Sequence, residues 1–265
     1  MLERIGEGQR EEFIAFLLKN PDFNTYFLGD IAQFGLDNYL FQVYAERRRD
    51  KYIAAMFNLY GGVCFTTQTQ DFNRFRFLMQ LSNWQNKYSL SGVAGSLDRF
   101  ADVLGYSSRS VFQFCKLTRD QFQPFDFDVL WSQGITCRWA GPDDAAKWCS
   151  LRARIDEFTT PYSVEGTRVS LKQKSWRTVL LEYDGLPLAA ASITSEHALG
   201  GMIVSVMTRP DMRGRGFASA CVSWLCEYLF SMNKFVCLFY DNPAAAGVYE
   251  RLGFTTIGLW ERIVF

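Results

Sequence analysis

Two arginines alternate with two glycines from Arg213 to Gly216, between a short apolar stretch and a longer, helix-like one. The amide N–H groups of such a loop, and those of the first helical turn after it, have no internal partner and point outward. Together with the helix dipole they attract anionic oxygens. Gly214 and Gly216 let the backbone curl and approach a ligand closely, while Arg213 and Arg215 add positive charge. The pattern predicts a phosphate-binding loop, and pyrophosphate is its natural ligand.

Three interpretations of this loop differ in what they require. A nucleotide-hydrolysing loop needs a lysine after its last glycine, and the segment has none. A dinucleotide-binding fingerprint needs a third glycine where Ser219 stands, and this loop also comes late, after several strands of antiparallel type. A plain glycine turn before a helix needs nothing more. The residues of this loop alone leave that last alternative open.

A second segment of similar form lies between Tyr240 and Phe254, where a strand again leads into a helix. Together the two segments resemble the GNAT superfamily of acyl-CoA-dependent N-acyltransferases. The family's loop pattern, Gln or Arg followed at fixed spacing by Gly and then by Gly or Ala, is matched by Arg213, Gly216 and Ala218. The family's downstream pattern is matched by Asn242, Ala245, Tyr249, Glu250, Gly253 and Phe254. The motifs span residues 206–254, and the strand order extends the resemblance to about 135–265.

The resemblance implies a mixed-sheet α/β fold with acetyl-CoA as cosubstrate and no metal. In the family, two strands part, the pantetheine arm pairs with strand backbone in the gap, and the loop holds the pyrophosphate. Asn242 is expected either to hydrogen-bond the coenzyme arm or to cap its own helix. The coenzyme contacts carried over to this chain are Val206, Met207, Thr208, Arg213, Gly214, Arg215, Gly216, Phe217, Ala218, Ser219 and Asn242.

The resemblance also implies direct transfer, in which an acceptor amine attacks the thioester and the thiolate leaves. A backbone N–H near Val206 would polarise the thioester carbonyl. Tyr249 matches the family's general acid, which protonates the thiolate, because a phenol with a pKa of about 10 is still protonated at neutral pH. A primary amine must lose a proton before it attacks. The base for that step stays open, with Glu182, Glu196 and His197 as candidates.

Composition excludes several other classes of protein. Lys plus Arg and Asp plus Glu each total 28, so the chain lacks the basic excess of a nucleic-acid binder. No apolar stretch approaches the ~18 residues of a membrane span, and no apolar signal core follows the charged start, so we expect a cytoplasmic protein. The seven cysteines form no C-x-x-C pair, which disfavours zinc, and a single histidine without a nucleophile motif disfavours a hydrolase.

The elements predicted around the two motifs form a mixed α/β domain in the second half of the chain. Strands are predicted at Ile135–Trp139, Thr178–Tyr183, Leu188–Thr194, Met202–Thr208, Phe235–Tyr240 and Leu259–Phe265. Helices are predicted after Gly141, after Gly216 and after Asn242. The polar segment 158–175 is predicted to be a loop with a short helix. A proline-containing segment without helical period, Thr118–Gly134, is predicted to join the two halves; we call it the connector.

The first half shows a fainter version of the same order. An Ala-Ala pair at Ala54, a Gly-Gly pair at Gly61 and a strand ending at Thr67 resemble the later stretch between Ala189 and Thr208. We therefore predict two tandem GNAT-like domains, residues 1–130 and 131–265, of which the second is catalytic. No glycine loop and no arginine follow Thr67 directly, so the degenerate first domain should not hold pyrophosphate. It is expected to form a wall of the acceptor site or to give packing support alone.

The acceptor is expected to be a small-molecule amine, whose identity the sequence does not specify. Tyr162, Arg168 and Trp176, in or beside the polar segment 158–175, are candidates for a gate to the acceptor site. Two alternatives stay open: an acyl donor other than acetyl, and a non-catalytic CoA-binding or regulatory module. Neither a nucleic acid nor a membrane is expected as a partner, and a homodimer is one open outcome for the oligomeric state.

Overall fold

The structure, a computed structural model, describes residues 1–158 and 162–265. Its strands are β1 (Leu2–Ile5), β2 (Phe41–Arg48), β3 (Lys51–Leu59), β4 (Gly62–Thr67), β5 (Ser89–Val93), β6 (Ser108–Leu117), β7 (Ile135–Trp139), β8 (Arg177–Tyr183), β9 (Leu186–Thr194), β10 (Gly200–Thr208), β11 (Phe235–Tyr240) and β12 (Thr255–Val264). Its α-helices are α1 (Arg10–Leu17), α2 (Thr25–Phe34), α3 (Arg74–Asn83), α4 (Asp98–Ala101), α5 (Asp128–Trp131), α6 (Ala145–Arg152), α7 (Val164–Gln173), α8 (Phe217–Ser231) and α9 (Pro243–Glu250). Turns of 3-10 helix lie at Glu7–Gln9, Arg119–Gln121, Pro142–Asp144 and Pro210–Met212. None of the helices within the described ranges has the length and apolar composition needed to cross a membrane.

These elements divide into two compact units. The first unit consists of Met1–Cys115, Phe239–Asp241 and Thr256–Phe265. The second unit consists of Lys116–Leu238 and Asn242–Thr255. The assignment of a degenerate domain to residues 1–130 and a catalytic domain to residues 131–265 stays a prediction.

The second unit contains a mixed sheet with the strand order β11-β10-β9-β8-β7. β10 and β11 run parallel, and the other neighbours in this order run antiparallel. The β8–β9 hairpin turns at Asp184 and Gly185, whose φ angles are 47° and 71°. Two-residue hairpin turns favour Asp-Gly because both central residues need positive φ. The turn chemistry of the sequence therefore predicts this hairpin, and the structure confirms it.

Two helices pack on this sheet and support the strand that leads into the glycine loop. α8 packs against β9 and β10, and its residues Cys221, Val222 and Leu225 are fully buried. Trp148 of α6 lies in a second buried cluster that includes Met207 of β10. Burial of one such side chain contributes roughly 1.5–3 kcal/mol to folding. The backbone of β10 is thus held by packing on two helices, which is the rigidity that a binding strand requires.

The first unit repeats the order of elements found in the second. Each contains, in chain order, a strand, a 3-10 turn, two helices, three strands, a helix and another strand. The sheet of the first unit has the order β1-β2-β3-β4-β5-β12-β6, with β4 and β5 parallel and β12 antiparallel to β5. Ala54 lies on β3 as Ala189 lies on β9, and β4 begins at Gly62 as β10 begins at Gly200. The faint repeat in the sequence is therefore a repeat of structure, and the predicted mixed α/β fold is confirmed.

Most elements predicted in the second half are confirmed, although β9, β10 and β12 begin earlier than predicted. β7 and β11 have the predicted bounds. The helix that begins after Gly141 ends at Arg152, and Ile155 packs into the core from the turns that follow it. In the first half, every residue of α2 from Phe27 to Ile31 is buried.

Candidate functional site

A β-bulge interrupts β10 where it pairs with β9. The pairing register shifts between Val204 and Met207, so that Ser205 and Val206 together face the single residue Ala191. Ser205 has a φ of 52°, a left-handed conformation that a non-glycine residue seldom adopts. A bulge leaves one residue out of the hydrogen-bond ladder and turns its backbone groups in a new direction. Val206, predicted to lie beside the thioester carbonyl, is in this bulge.

β10 and β11 pair over only part of their length. Their parallel register joins Gly200–Met202 to Phe235–Cys237, and beyond it β10 continues to Thr208 without further pairing to β11 among the described residues. The close approach at the start depends on Gly200, because a Cβ there would lie 2.4 Å from the Phe235 ring. Backbone groups that leave a ladder need other partners. The backbone of residues 206–208 thus has no strand partner on the β11 side within the described residues.

The glycine loop ends in a helix N-terminus that has no cap. Gly214 and Gly216 have φ angles of 79° and 80°, and Gly216 is the N-cap residue of α8 without a side-chain cap hydrogen bond. Within the described residues, the backbone N–H groups of residues 214–219 donate no hydrogen bond, and the first helical bond is from the Ala220 N–H to the Gly216 carbonyl. Free N–H groups at the positive end of a 15-residue helix form an anion site.

The two loop arginines differ in their contacts. Arg213 donates to Glu157 at 3.0 Å, and this hydrogen bond lowers the pKa of the Glu157 carboxyl below its usual value. Arg215 is exposed and makes no ion pair with any residue that the structure describes. Positive charge is thus available at the loop, and one of its two sources is held by a carboxylate from the turn after α6.

Two hydroxyl groups beside the loop are buried without a partner. Thr208 Oγ1 at the end of β10 and Ser219 Oγ in the first turn of α8 have no hydrogen-bond partner in the described part of the chain. Buried polar groups are nearly always hydrogen-bonded, and an exception calls for a ligand or water. These two hydroxyls, the free N–H groups of residues 214–219 and Arg215 together fit a diphosphate. No group of three or more metal-ligating side chains occurs among the described residues.

The downstream motif forms the short helix α9. Asn242 Oδ1 accepts a hydrogen bond from the Ala244 N–H at 2.9 Å, so its oxygen caps the helix and only its amide NH2 is left for a ligand. Gly253, next to last in the motif, has a φ of 95°. Tyr249 lies in the last turn of α9, is buried, and packs edge-on against Phe254 with ring centroids 6.0 Å apart. The residues of the motif therefore occupy the elements that the sequence predicts.

The candidates for the general base lie away from the bulge or are engaged in ion pairs. Glu196 and His197 precede β10, whose first residue, Gly200, lies seven residues or about 23 Å of strand before Met207. Glu182 is buried on β8, where it accepts from Arg138 at 2.7 Å and from Lys147 at 3.0 Å. None of the three is a free base at the bulge.

The three residues predicted as an acceptor gate separate into two places. Tyr162 and Trp176 pack together with ring centroids 5.2 Å apart, and the Arg152 guanidinium lies 4.4 Å from the Tyr162 centroid. Arg168 lies instead on α7, where it pairs with Glu165 at 3.3 Å. Part of the predicted gate, residues 159–161, lies outside the described residues. The gate stays a prediction, with Tyr162 and Trp176 as its aromatic part.

In the first unit, the helix at the position of α8 is α3, and its N-terminus is occupied. The Asn73 side chain caps α3 by accepting from the Arg76 N–H, and the Asn73 N–H donates to the buried carboxylate of Glu46 at 2.7 Å. A carboxylate of the protein thus lies where an anion would bind. This contact supports the prediction that the first half holds no pyrophosphate.

Comparisons with known proteins agree with the motifs and the fold. The sequence model of the acetyltransferase (GNAT) family matches residues 148–254. No curated protein sequence is significantly similar to the chain. A tandem GNAT protein from the clavulanic acid biosynthesis pathway is 12% identical with a TM-score of 0.63, and the match covers 100% of this chain and 98% of that one.

Two further solved structures cover the chain at similar distance. A GCN5-related N-acetyltransferase from Sphaerobacter thermophilus is 17% identical with a TM-score of 0.64, over 100% of this chain and 95% of that one. A Drosophila protein is 13% identical with a TM-score of 0.69, over 100% of this chain and 98% of that one. At such identities the solved structures show the fold alone. Residues 148–254 thus resemble the acetyltransferase (GNAT) family in sequence, and the chain has the fold of a tandem GNAT protein.

Proposed function

We propose that this protein is an N-acetyltransferase that transfers the acetyl group of acetyl-CoA to the primary amine of a small molecule. The observation that carries the proposal is the uncapped N-terminus of α8 beside a strand that bulges and leaves its parallel neighbour. An uncapped helix start alone suits any small anion. The bulge and the gap add a place for an extended arm that ends in a reactive carbonyl, which is the form of an acyl-CoA.

The coenzyme is held in this proposal by main-chain groups and two hydroxyls. Its pyrophosphate accepts from the N–H groups of residues 214–219 and from Arg213 and Arg215, and the buried hydroxyls of Thr208 and Ser219 gain the partner that they lack. The pantetheine arm pairs with the backbone of residues 206–208 in the gap beside β11. Charge-assisted hydrogen bonds of this kind are about twice as strong as neutral ones.

The chain's part in the chemistry is to polarise the thioester and to return a proton. An N–H group of the bulge near Val206 donates to the thioester carbonyl and stabilises the oxyanion that forms when the amine attacks. The new C–N bond forms as the C–S bond breaks, and Tyr249 donates its phenolic proton to the leaving thiolate. The attacking nitrogen, positively charged once the C–N bond has formed, releases one proton to solvent, and Tyr249 takes one proton back from solvent. Acetyl-CoA supplies the activated acetyl group. The acceptor must arrive as the neutral amine, since the three carboxylate and imidazole candidates are remote from the bulge or ion-paired.

The loop assignment is tested by placing a carboxylate at Gly214. A Cβ at Gly214 meets no atom within 4 Å, so Gly214→Glu puts a negative charge at the anion site without a clash. Gly185→Glu is the matched control, because Gly185 also has a positive φ and open space but lies in the β8–β9 hairpin. At 100 times its Kd, acetyl-CoA stabilises the folded protein by about 2.7 kcal/mol. We expect thermal stabilisation by acetyl-CoA in the wild type and in Gly185→Glu and none in Gly214→Glu. Undiminished stabilisation of Gly214→Glu would refute the loop assignment.

Catalysis is separated from mere binding by Tyr249→Phe. Loss of a general acid lowers a rate by about a hundredfold or more, whereas removal of one hydroxyl leaves the aromatic packing on Phe254 in place. We expect near-normal CoA binding by calorimetry and a hundredfold slower release of free thiol from acetyl-CoA with an amine panel. An unchanged rate would remove Tyr249 from the mechanism. A wild type that binds acetyl-CoA but releases thiol with none of the amines would favour the non-catalytic module. Faster thiol release from a longer acyl-CoA than from acetyl-CoA would show that the longer acyl-CoA is the donor.

A further inference from the structure

An aromatic ring of the connector lies against the helix start that the proposed coenzyme site uses. A Cβ placed on Gly216 would lie 3.1 Å from the Phe125 ring and meet no other atom within 4 Å. The absence of a side chain at Gly216 therefore gives the Phe125 ring access to the N-terminus of α8. Gly216 thus allows the positive φ of 80° and also makes room for a phenylalanine.

Phe125 is fixed to α8 on both its backbone and its ring. Its N–H donates to the fully buried Ser223 Oγ at 3.0 Å. Its ring packs edge-on against Phe127 with centroids 5.4 Å apart, and Phe127 packs edge-on against Trp224 of α8 at 5.8 Å. The position of the Phe125 ring is thus set by the helix whose N-terminus it adjoins.

The ring is only half-buried, although its neighbour Phe127 is buried. An apolar ring accepts no ordinary hydrogen bond, so Phe125 is not a cap for the free N–H groups of residues 214–219. Anchoring of the connector is already provided by Phe127 and by Phe122, which packs on Phe230 near the other end of α8. An ordered aromatic ring that is partly open to solvent beside an anion site is the arrangement that a nucleobase can stack on.

The chemistry of the coenzyme connects the two features. A pyrophosphate joins the pantetheine arm to an adenosine, so an arm that runs from the loop along β10 sends the adenosine away from the loop on its outer side. We propose that Phe125 is the platform on which the adenine of the coenzyme stacks, an inference that rests on the proposed function. The connector is then a part of the coenzyme site as well as a link along the chain.

The test compares two ligands that share the acetyl-pantetheine arm. Acetyl-CoA carries the adenosine, and acetyl-4′-phosphopantetheine lacks it. Phe125→Leu keeps an apolar side chain against Gly216 but removes the aromatic face. Since base stacking on an aromatic side chain contributes about five- to 150-fold in affinity, we expect Phe125→Leu to raise the Kd of acetyl-CoA at least about fivefold by calorimetry. In Phe125→Leu, the Kd of acetyl-4′-phosphopantetheine should change less than about twofold. Phe125→Tyr, which keeps an aromatic ring, should bind acetyl-CoA about as tightly as the wild type does.

The matched control is Phe122→Leu, which alters the connector near the other end of α8 and should leave both affinities unchanged. An unchanged Kd for acetyl-CoA in Phe125→Leu would overturn the platform. An equal loss for both ligands would also overturn it, because Phe125 would then act by packing the loop. A wild type that binds neither ligand would instead refute the proposed function itself, so the two failures are distinguishable.

Discussion

His197 is the one histidine of the chain, and it is buried as a neutral ring. It lies in the turn between β9 and β10, where its Nδ1 accepts from the Leu199 N–H at 3.3 Å. Its Nε2 is buried without a hydrogen-bond partner among the described residues, and its ring packs edge-on against Phe235. An Nδ1 that accepts leaves the proton on Nε2. A second proton would have to go to Nδ1 and would break the bond from Leu199.

The pKa of His197 is correspondingly low. Burial, the largest cause, and the charge of Lys234 together lower the pKa from 6.5 to about 4, while Glu196 opposes the shift. Because the folded pKa lies below the unfolded one, the unfolded chain takes up the proton first as the pH falls. The contribution of His197 to stability is therefore intact above pH 6.5 and is lost progressively as the pH falls to about 4. With a pKa of 6.5 in the unfolded chain and about 4 in the folded protein, the free energy of unfolding falls by about 2 kcal/mol between pH 7.5 and pH 5.

We expect His197→Asn to abolish this part of the pH dependence, because asparagine does not titrate and can accept from the Leu199 N–H. Urea unfolding at pH 7.5 and at pH 5 measures the free energy of unfolding of both proteins. The wild type should lose about 2 kcal/mol more than the variant over this interval, since the carboxylates titrate alike in both. Equal losses in the two proteins, or an imidazole that titrates near pH 6.5 by NMR in the folded wild type, would refute the reasoning.

Two further predictions concern the loop and the end of α9. Glu157→Gln should raise coenzyme affinity by up to about fivefold in a calorimetric titration. The reason is that the substitution releases Arg213 from an exposed ion pair that contributes at most ~1 kcal/mol. A coenzyme affinity lower than that of the wild type would show that Glu157 assists binding. Gly253→Ala should lower the free energy of unfolding by about 2 kcal/mol or more, because its Cβ would lie 2.0 Å from the Gln121 carbonyl oxygen at a φ of 95°. Gly185→Ala, at a φ of 71° in open space, measures the strain without the clash, and an equal loss in both variants would exclude a role for the clash.

The elements that carry the motifs could be predicted because their signals are local. Asp184 and Gly185 specify a hairpin, Asn242 and Pro243 specify a helix start, and the apolar run of β11 specifies a buried strand. The strand β12 could also be predicted, but not its place, since its pairing with β5 joins residues about 170 positions apart in the sequence. Local pattern identifies an element, whereas the partner of a strand depends on distant residues.

The candidate site divides in the same way. The glycine loop and the cap at Asn242 follow from residue type and spacing. The bulge at Ser205 depends on the register between β9 and β10, and the ion pair of Glu157 with Arg213 joins residues 56 positions apart. The contact of Phe125 with Gly216 likewise needs the connector to return to α8. Local pattern gives no signal for the ion pair or for the contact of Phe125. For the bulge it gives a weak one, because Ser205 is a polar residue in the middle of a mostly apolar strand.

The repeat of structure does not repeat the anion site, and the reason lies in a few side chains. A helix that follows a strand always begins with free N–H groups, so each unit starts with a potential anion site. In the first unit Asn73 caps α3 and Glu46 reaches the same turn, so that protein groups satisfy these donors. In the second unit Gly216 offers no side chain, and a buried hydroxyl at Ser219 is left without a partner. A helix start left uncapped at a cost in stability is explained by a bound anion, which is why we assign the coenzyme to α8 and not to α3.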